Sequence, residues 1–168
     1  VLWLFVIFLG ITFGAGLYES RVVVSKWTAA PDGSAHWDAA AARSGATGQK
    51  FWAFVTTGPL TLLTIASLVL AWRSSPPLKK WWFAAAGTAL ADRVFTFAYF
   101  IPTMIGLMKL PDTPEARAAA SQWATLDYVR HALVLIAWLL ALKAFSVFYA
   151  RPGIERRIDH EELATHHH

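Results

Sequence analysis

The sequence predicts an all-α integral membrane protein, built as a four-helix bundle. Three observations carry that reading. Hydrophobic residues make up 56% of the 168 and charged residues only 15%, against about 25% charged in an ordinary soluble domain. The mean hydropathy is +0.42. Four segments, 1–24, 51–72, 81–108 and roughly 123–149, are apolar along their length, and a helix of ~20 such residues crosses ~30 Å of hydrocarbon.

The first segment, VLWLFVIFLGITFGAGLYESRVVV, has no basic stretch ahead of its apolar run and no A-x-A site. It therefore reads as a retained helix rather than a signal peptide. Its Gly10-x-x-x-Gly14 spacing predicts close packing on another helix of the same chain. The second segment holds hydroxyls but no ionisable residue. Pro59 and Pro102 are expected to kink spans two and three, because proline cannot complete the helical ladder.

Breaks between spans are marked by proline and charge. Arg73-Ser-Ser-Pro-Pro-Leu-Lys-Lys80 is a short turn between spans two and three. Leu110-Pro-Asp-Thr-Pro114 separates spans three and four. There Thr113 is placed to cap the last helix, with Pro114 at its first position and Glu115 beside the positive end of the dipole. That helix is expected to begin well before the membrane. Residues 25–50 form the long loop, with Pro31-Asp-Gly33 as a turn. One bundle accounts for residues 1–150, and 151–168 form a charged cytoplasmic tail. The terminal His166, His167 and His168 read as the remnant of a purification tag and are set aside from metal reasoning.

Orientation is read from lysine and arginine. Arg73, Lys79 and Lys80 crowd one short loop, and Arg151, Arg156 and Arg157 come after span four. Lys26, Arg43, Lys50, Lys109 and Arg117 are spread over the opposite, longer loops. The positive-inside rule then places both termini in the cytoplasm. The tryptophans fit an interfacial belt, with Trp3, Trp72, Trp81 and Trp82 at the inner boundary and Trp27, Trp37, Trp52 and Trp123 at the outer one.

Composition also excludes classes. Without cysteine there is no disulfide framework, thiolate nucleophile or cysteine-based metal site. The net charge of +4 is scattered; it suits anionic lipid headgroups, and nucleic-acid binding, which needs a clustered basic face, is not expected. No G-x-S-x-G, P-loop or G-x-G-x-x-G occurs.

What the spans do keep is charge. Glu19 and Arg21 lie near the outer end of span one, Asp92 and Arg93 near the middle of span three, and Asp127, Arg130 and His131 at the outer end of span four. Each of these places carries one acid and one arginine. Charge inside a bilayer is costly and marks a functional site by default. Neighbours along a helix point about 100° apart, so Asp92 and Arg93 are not expected to face each other. Asp127 is spaced to meet Arg130 and His131, and Asp92 to accept from Arg21 or Arg130 across helices. Tyr99 and Trp123 lie at similar depth.

In such a site Asp127 or His131 would act as base, with Arg130 and Arg93 steadying a developing oxyanion. Glu19, Arg21, Asp92, Tyr99 and Trp123 would border the substrate. A metal held by His36, His131, Glu19 and Asp127 is conceivable, but the tight spacing of a helical metal motif is absent. No metal site and no cofactor is assigned.

Trp123-Ala-Thr-Leu-Asp-Tyr-Val-Arg130 resembles a pattern of the anthrone-oxygenase-like family of small four-span membrane proteins. That pattern is a Trp, an apolar residue and a His, then an Arg three further on, at the head of the last helix. The glycine-rich first helix, Gly10 to Gly16, and Pro102 late in span three extend the likeness. Asp127 stands at the place of the family's His, and Met104 at the place of a common Asn. The resemblance implies a four-helix bundle that oxidises a lipophilic aromatic substrate. The expectation is thus a polar pocket in the outer half of the bundle, open to a small lipophilic molecule. The competing expectation is a non-enzymatic binding, transport or assembly subunit, homo-oligomeric if a carrier, whose charges only tie the bundle together.

Overall fold

A computed structural model of the chain describes residues 1–165 apart from 29, 31 and 45–49, with side chains described as far as residue 150. The terminal histidines lie outside the described residues. Four long apolar helices form the body: α1 (Leu2–Thr28), α3 (Phe51–Arg73), α4 (Pro76–Leu107) and α5, which starts at Pro114 and crosses as far as Ala150. A short α2 (Ala39–Ser44) interrupts the loop between α1 and α3. No strand occurs among the described residues. The helix of α5 continues to Thr165, through the segment expected as a tail.

The start of α5 is explained by its sequence. The Ala116 amide donates to Thr113 Oγ1 at 3.2 Å, so threonine caps the helix and Pro114 opens it. In the loop, the Gly33 amide donates to the Ala30 carbonyl at 2.8 Å and Gly33 takes φ +79°, a left-handed conformation that favours glycine.

The core has three layers along the bundle axis. At the end holding the α3–α4 hairpin, Phe5, Leu9 and Leu60 pack against Ala85, Ala86 and Ala89 of α4 and Ala137, Ala141 and Ala144 of α5. Alanine at these spacings lets two backbones approach closely. At the opposite end, which we call the cap, Val24, Trp27, Trp37, Phe100, Leu107, Ala120 and Trp123 form a second apolar cluster. Between the two lies a layer of buried polar groups: Asp92, Arg93, Thr96, Asp127 and His131.

Three sequence expectations change here. The tight glycine of α1 is Gly16, where a Cβ would collide with the His131 ring, while nothing lies within 4 Å of one at Gly14. Gly10 does pack closely, with a Cβ there 3.2 Å from the Trp138 ring. The outer tryptophans are not a lipid-facing belt: Trp27, Trp37 and Trp123 are buried. The Trp37 indole donates to the Leu107 carbonyl at 3.1 Å and that of Trp123 to the Phe100 carbonyl at 3.2 Å. At the hairpin end Trp82 is likewise buried, whereas Trp3 and Trp72 are exposed.

The third concerns the prolines. Each comes just after a stretch of π-helix, Phe51–Thr57 before Gly58-Pro59 and Thr96–Phe100 before Ile101-Pro102. The wider turn makes room for a ring that would otherwise strike the carbonyl four residues back. A Cβ at Gly58 would lie 2.9 Å from the Ala53 carbonyl oxygen, so glycine is needed at that turn. A third π-helical stretch, Glu19–Val23, interrupts α1 without a proline.

Gly16→Ala is expected to lower stability by about 1–3 kcal/mol, the usual cost of overpacking a filled interface. Gly14→Ala is expected to be near neutral. Unfolding of the detergent-solubilised protein, monitored by circular dichroism, separates the two.

Candidate functional site

Asp92 organises the buried layer. Arg93 bonds to it through two nitrogens, Nε at 3.0 Å from Oδ2 with a terminal amino group at the same oxygen. Neighbours in sequence therefore do meet, against the expectation from helix geometry, because the long arginine stem folds back along α4. The other carboxylate oxygen lies 3.6 Å from Arg130 Nε on α5. Arg130 in turn stands 3.4 Å from Asp127 Oδ1. The Ser20 hydroxyl of α1 donates to Asp127 Oδ2 at 2.6 Å. Acid and base thus alternate from α4 to α5, and the Ser20 hydroxyl ties the end of that chain to α1.

His131 closes the layer from the α1 side. Its Nδ1 is 2.6 Å from the Asp127 carbonyl oxygen and 3.6 Å from the Asp127 carboxylate. A carbonyl only accepts, so Nδ1 carries the hydrogen. Nε2 is buried against Gly16 with no hydrogen-bond partner among the described residues.

Beside this layer, toward the cap, lies a cavity of about 890 Å³, within the range of small-molecule sites. Glu19, Arg93 and Arg130 reach its wall. The remaining lining is mostly apolar and aromatic, with Trp52, Phe100, Trp123 and Met104 prominent. The Trp52 indole donates to Glu19 Oε1 at 2.8 Å. Arg130 stacks against two of the rings, 5.0 Å from the centre of Phe100 and 5.9 Å from that of Trp52. Thr96 also lines the cavity; its hydroxyl is buried and has no partner among the described residues. All three π-helical stretches contribute wall residues: Glu19 and Val23, Trp52 and Thr57, Thr96 and Phe100.

The expected site residues divide into three groups. Glu19, Arg93, Arg130 and Trp123 line the cavity. Asp92, Asp127 and His131 are buried behind it; the two aspartates hold the arginines, and His131 contacts Asp127. Arg21 and Tyr99 belong to neither: Arg21 is exposed, and Tyr99 stacks on Phe95 and sits edge-on to Phe100. Trp52, Thr96 and Ser20 were not expected. Only the position of Trp52 at the head of span two pointed to it; the two hydroxyls carry no signal in sequence.

With Arg21 turned outward, three carboxylates (Glu19, Asp92, Asp127) share two guanidiniums. The cluster is neutral only when it holds one further proton, on a carboxyl group or on His131. Lys143, farther along α5, is exposed and stands apart from this balance.

The cap covers the cavity. Trp27 and Ala42 form part of its wall. The strap from residue 32 to 44 is fastened to Asp112: His36 Nδ1 lies 2.8 Å from one carboxylate oxygen, and the Trp37 amide donates to the other at 3.1 Å. Arg117 grips both oxygens, at 2.7 and 2.9 Å. Arg43 adds a bond to the Met108 carbonyl. His36 is thereby committed to the strap, away from His131. Among the described residues no three His, Cys, Asp or Glu side chains are placed to hold a metal ion.

Residues 49–140, more than half of the chain, match the anthrone oxygenase family. The chain belongs to that family. No curated protein and no solved structure matches it. The anthrone oxygenase match takes in α3, α4 and the first half of α5, and so includes Trp52, Asp92, Arg93, Asp127, Arg130 and His131. It leaves out α1, which supplies Glu19, Ser20 and Gly16. Met104, where the family pattern has a common Asn, lines the cavity, whereas Asp127, at the place of the family's His, lies behind it.

Asp92→Ala strands the buried Arg93 guanidinium and takes from Arg130 one of its two carboxylates; breaking such a pair costs about 3–5 kcal/mol, and a lowered unfolding midpoint in a denaturing-detergent titration measures it. Asp112 is held at a pKa of about 2 against the ordinary 3.8, chiefly by the Arg117 hydrogen bonds, with desolvation opposing and the Trp37 amide adding. A depressed carboxyl contributes fully above its unfolded pKa, and that contribution is lost as pH falls through the folded one. The strap is therefore expected to stay fastened at neutral pH and to loosen between pH 3.8 and about 2, seen as a red shift of tryptophan emission. Asp112→Asn should show that shift already at neutral pH.

Proposed function

We propose that the protein is a membrane oxygenase that binds a flat, lipophilic aromatic ketone in the cap-side cavity and oxidises the methylene opposite its carbonyl. One observation carries the reading: an acid and two guanidiniums, Glu19, Arg93 and Arg130, reach the wall of a single aromatic-lined cavity of about 890 Å³. The family's name supplies the substrate class, an anthrone.

The residues divide the work. The Glu19 carboxylate, steadied by the Trp52 indole, takes a proton from the activated methylene. Negative charge develops on the ketone oxygen, where Arg130 and Arg93 balance it. The resulting carbanion is electron-rich enough to react with dioxygen, forming a carbon–oxygen bond and, with one proton, a hydroperoxide. Loss of the second methylene proton breaks the O–O bond and leaves a carbonyl. The sum is methylene plus dioxygen to ketone plus water.

This reading moves the base from Asp127 or His131 to Glu19, because Glu19 is the acid on the cavity wall. Asp127, with His131 beside it, positions Arg130. The alternating chain of charges favours this division, since an arginine held by a carboxylate on its far side keeps a fixed direction. The cap faces away from the cytoplasm, in keeping with the placement of basic loops.

Glu19→Gln keeps the shape and the bond to Trp52 and is expected to lower the rate of dioxygen-dependent anthrone oxidation by about 10²–10⁴-fold, the usual contribution of a general base. Arg130→Ala should lose both binding and turnover. Oxygen consumption and quinone absorbance, measured together on protein reconstituted in vesicles, test the proposal. Full activity of Glu19→Gln would remove Glu19 as the base, and absence of oxidation by the wild-type protein would remove the substrate class.

A further inference from the structure

We propose that the substrate reaches the cavity sideways from the hydrocarbon, along the seam between α3 and α4, and that Phe97 sets what can pass. The inference rests on the reading of the cavity as the site of a lipophilic aromatic.

A second hollow, of about 420 Å³, lies on that seam. Thr61, Thr64 and Ile65 form one side and Leu90 and Val94 the other. Arg93 and Phe97 line this hollow and the main cavity alike. Those two side chains are therefore the shared partition. Ile65, Val94 and Phe97 are exposed on the apolar face of the bundle, where lipid lies.

The chemistry of the groove suits a lipophilic solute. Its threonines spend their hydroxyls on their own helix: Thr61 donates to the Thr57 carbonyl at 2.6 Å and Thr64 to the Leu60 carbonyl at 2.7 Å. The surface left toward the hollow is methyl and aliphatic. Toward the cap the main cavity is bounded by Trp27 and Ala42, beside the strap fastened at Asp112. A polycyclic aromatic partitions into the bilayer, so its supply lies at the groove and not at the cap.

The partition has one fixed side and one mobile side. Arg93 is held by Asp92 and cannot swing into lipid without abandoning a buried carboxylate. Phe97 makes no such bond and is half exposed. Rotation of its ring opens the passage, and its bulk limits the width of what enters. A ketone arriving this way meets the Arg93 guanidinium first, which orients its oxygen toward the charged layer.

The test uses full-length protein in phosphatidylcholine vesicles and 1-pyrenol dissolved in the bilayer as probe, with energy transfer from tryptophan recorded after rapid mixing. Phe97→Trp is expected to slow association and dissociation together by about tenfold. Phe97→Ala should speed both. Ile65→Trp, on the opposite wall of the groove, is a second obstruction and should also slow both. Asp112→Asn, which loosens the cap, should leave the rates as they are. Unchanged rates in the Phe97 and Ile65 variants with acceleration in Asp112→Asn would overturn the lateral route. A change in occupancy without a matched change in both rates would make Phe97 a wall contact only, and overturns its role as the selecting residue. No transfer to the wild-type protein would remove the cavity reading itself, a failure distinct from that of the route.

Discussion

The carboxylate of Asp92, shared between Arg93 and Arg130, is the interaction on which the rest of the bundle depends. It stands in a buried layer between two apolar clusters. In that position a lone charge would cost several kcal/mol, and two guanidiniums without an acid would cost more. The carboxylate makes their burial tolerable. It also fixes the register between α4 and α5, because a slide of one turn would part Asp92 from Arg130. The alanine faces below it tolerate many registers, since small residues interdigitate weakly. Specificity of packing therefore comes from the polar layer, and close approach from the alanines.

The same constraint explains where the cavity lies. Below the layer the helices pack closely through alanine. Above it, α1, α3 and α4 each carry a π-helical stretch. An extra residue in a turn swells the helix and rotates the turns beyond it. Three swellings lining one space prevent the close packing seen below. Aromatic rings and the cap then line that space without filling it. The hollow is thus built into the backbone and does not depend on one omitted side chain.

Much of the fold was legible because it is set by lengths and periodicities. The four spans, the capped start of α5 at Pro114 and the pairing of Asp127 with Arg130 and His131 all rest on local spacing. The illegible part depends on where long side chains go. Arg93 reaches Asp92 by curling its stem, which no rule about adjacent residues anticipates. Arg21 turns outward, on nearly the opposite side of α1 from Glu19, and their spacing alone does not say which of the two faces inward. The outer tryptophans look interfacial by position, yet three are buried, and carbonyls at the end of α4 and in its π-helical stretch accept the indoles of Trp37 and Trp123. The candidate site shows the same limit: the charged residues could be named in advance, but not which of them face the cavity and which stand behind.

That division bears on the two places where the chain departs from the family pattern. Asp127 replaces a histidine at a position behind the cavity, where the demand is to balance Arg130 and accept from Ser20. An aspartate meets that demand at least as well, and His131, one turn on, keeps an imidazole in the layer. Met104 is different. It replaces a polar side chain on the cavity wall itself, and thioether in place of amide removes a donor and an acceptor from the space that a ligand would fill. The first departure adds one negative charge behind the cavity, the one that leaves three carboxylates to two guanidiniums; the second makes the wall more apolar. The electrostatic change therefore falls behind the cavity, and the change on the wall itself is a loss of polarity at Met104.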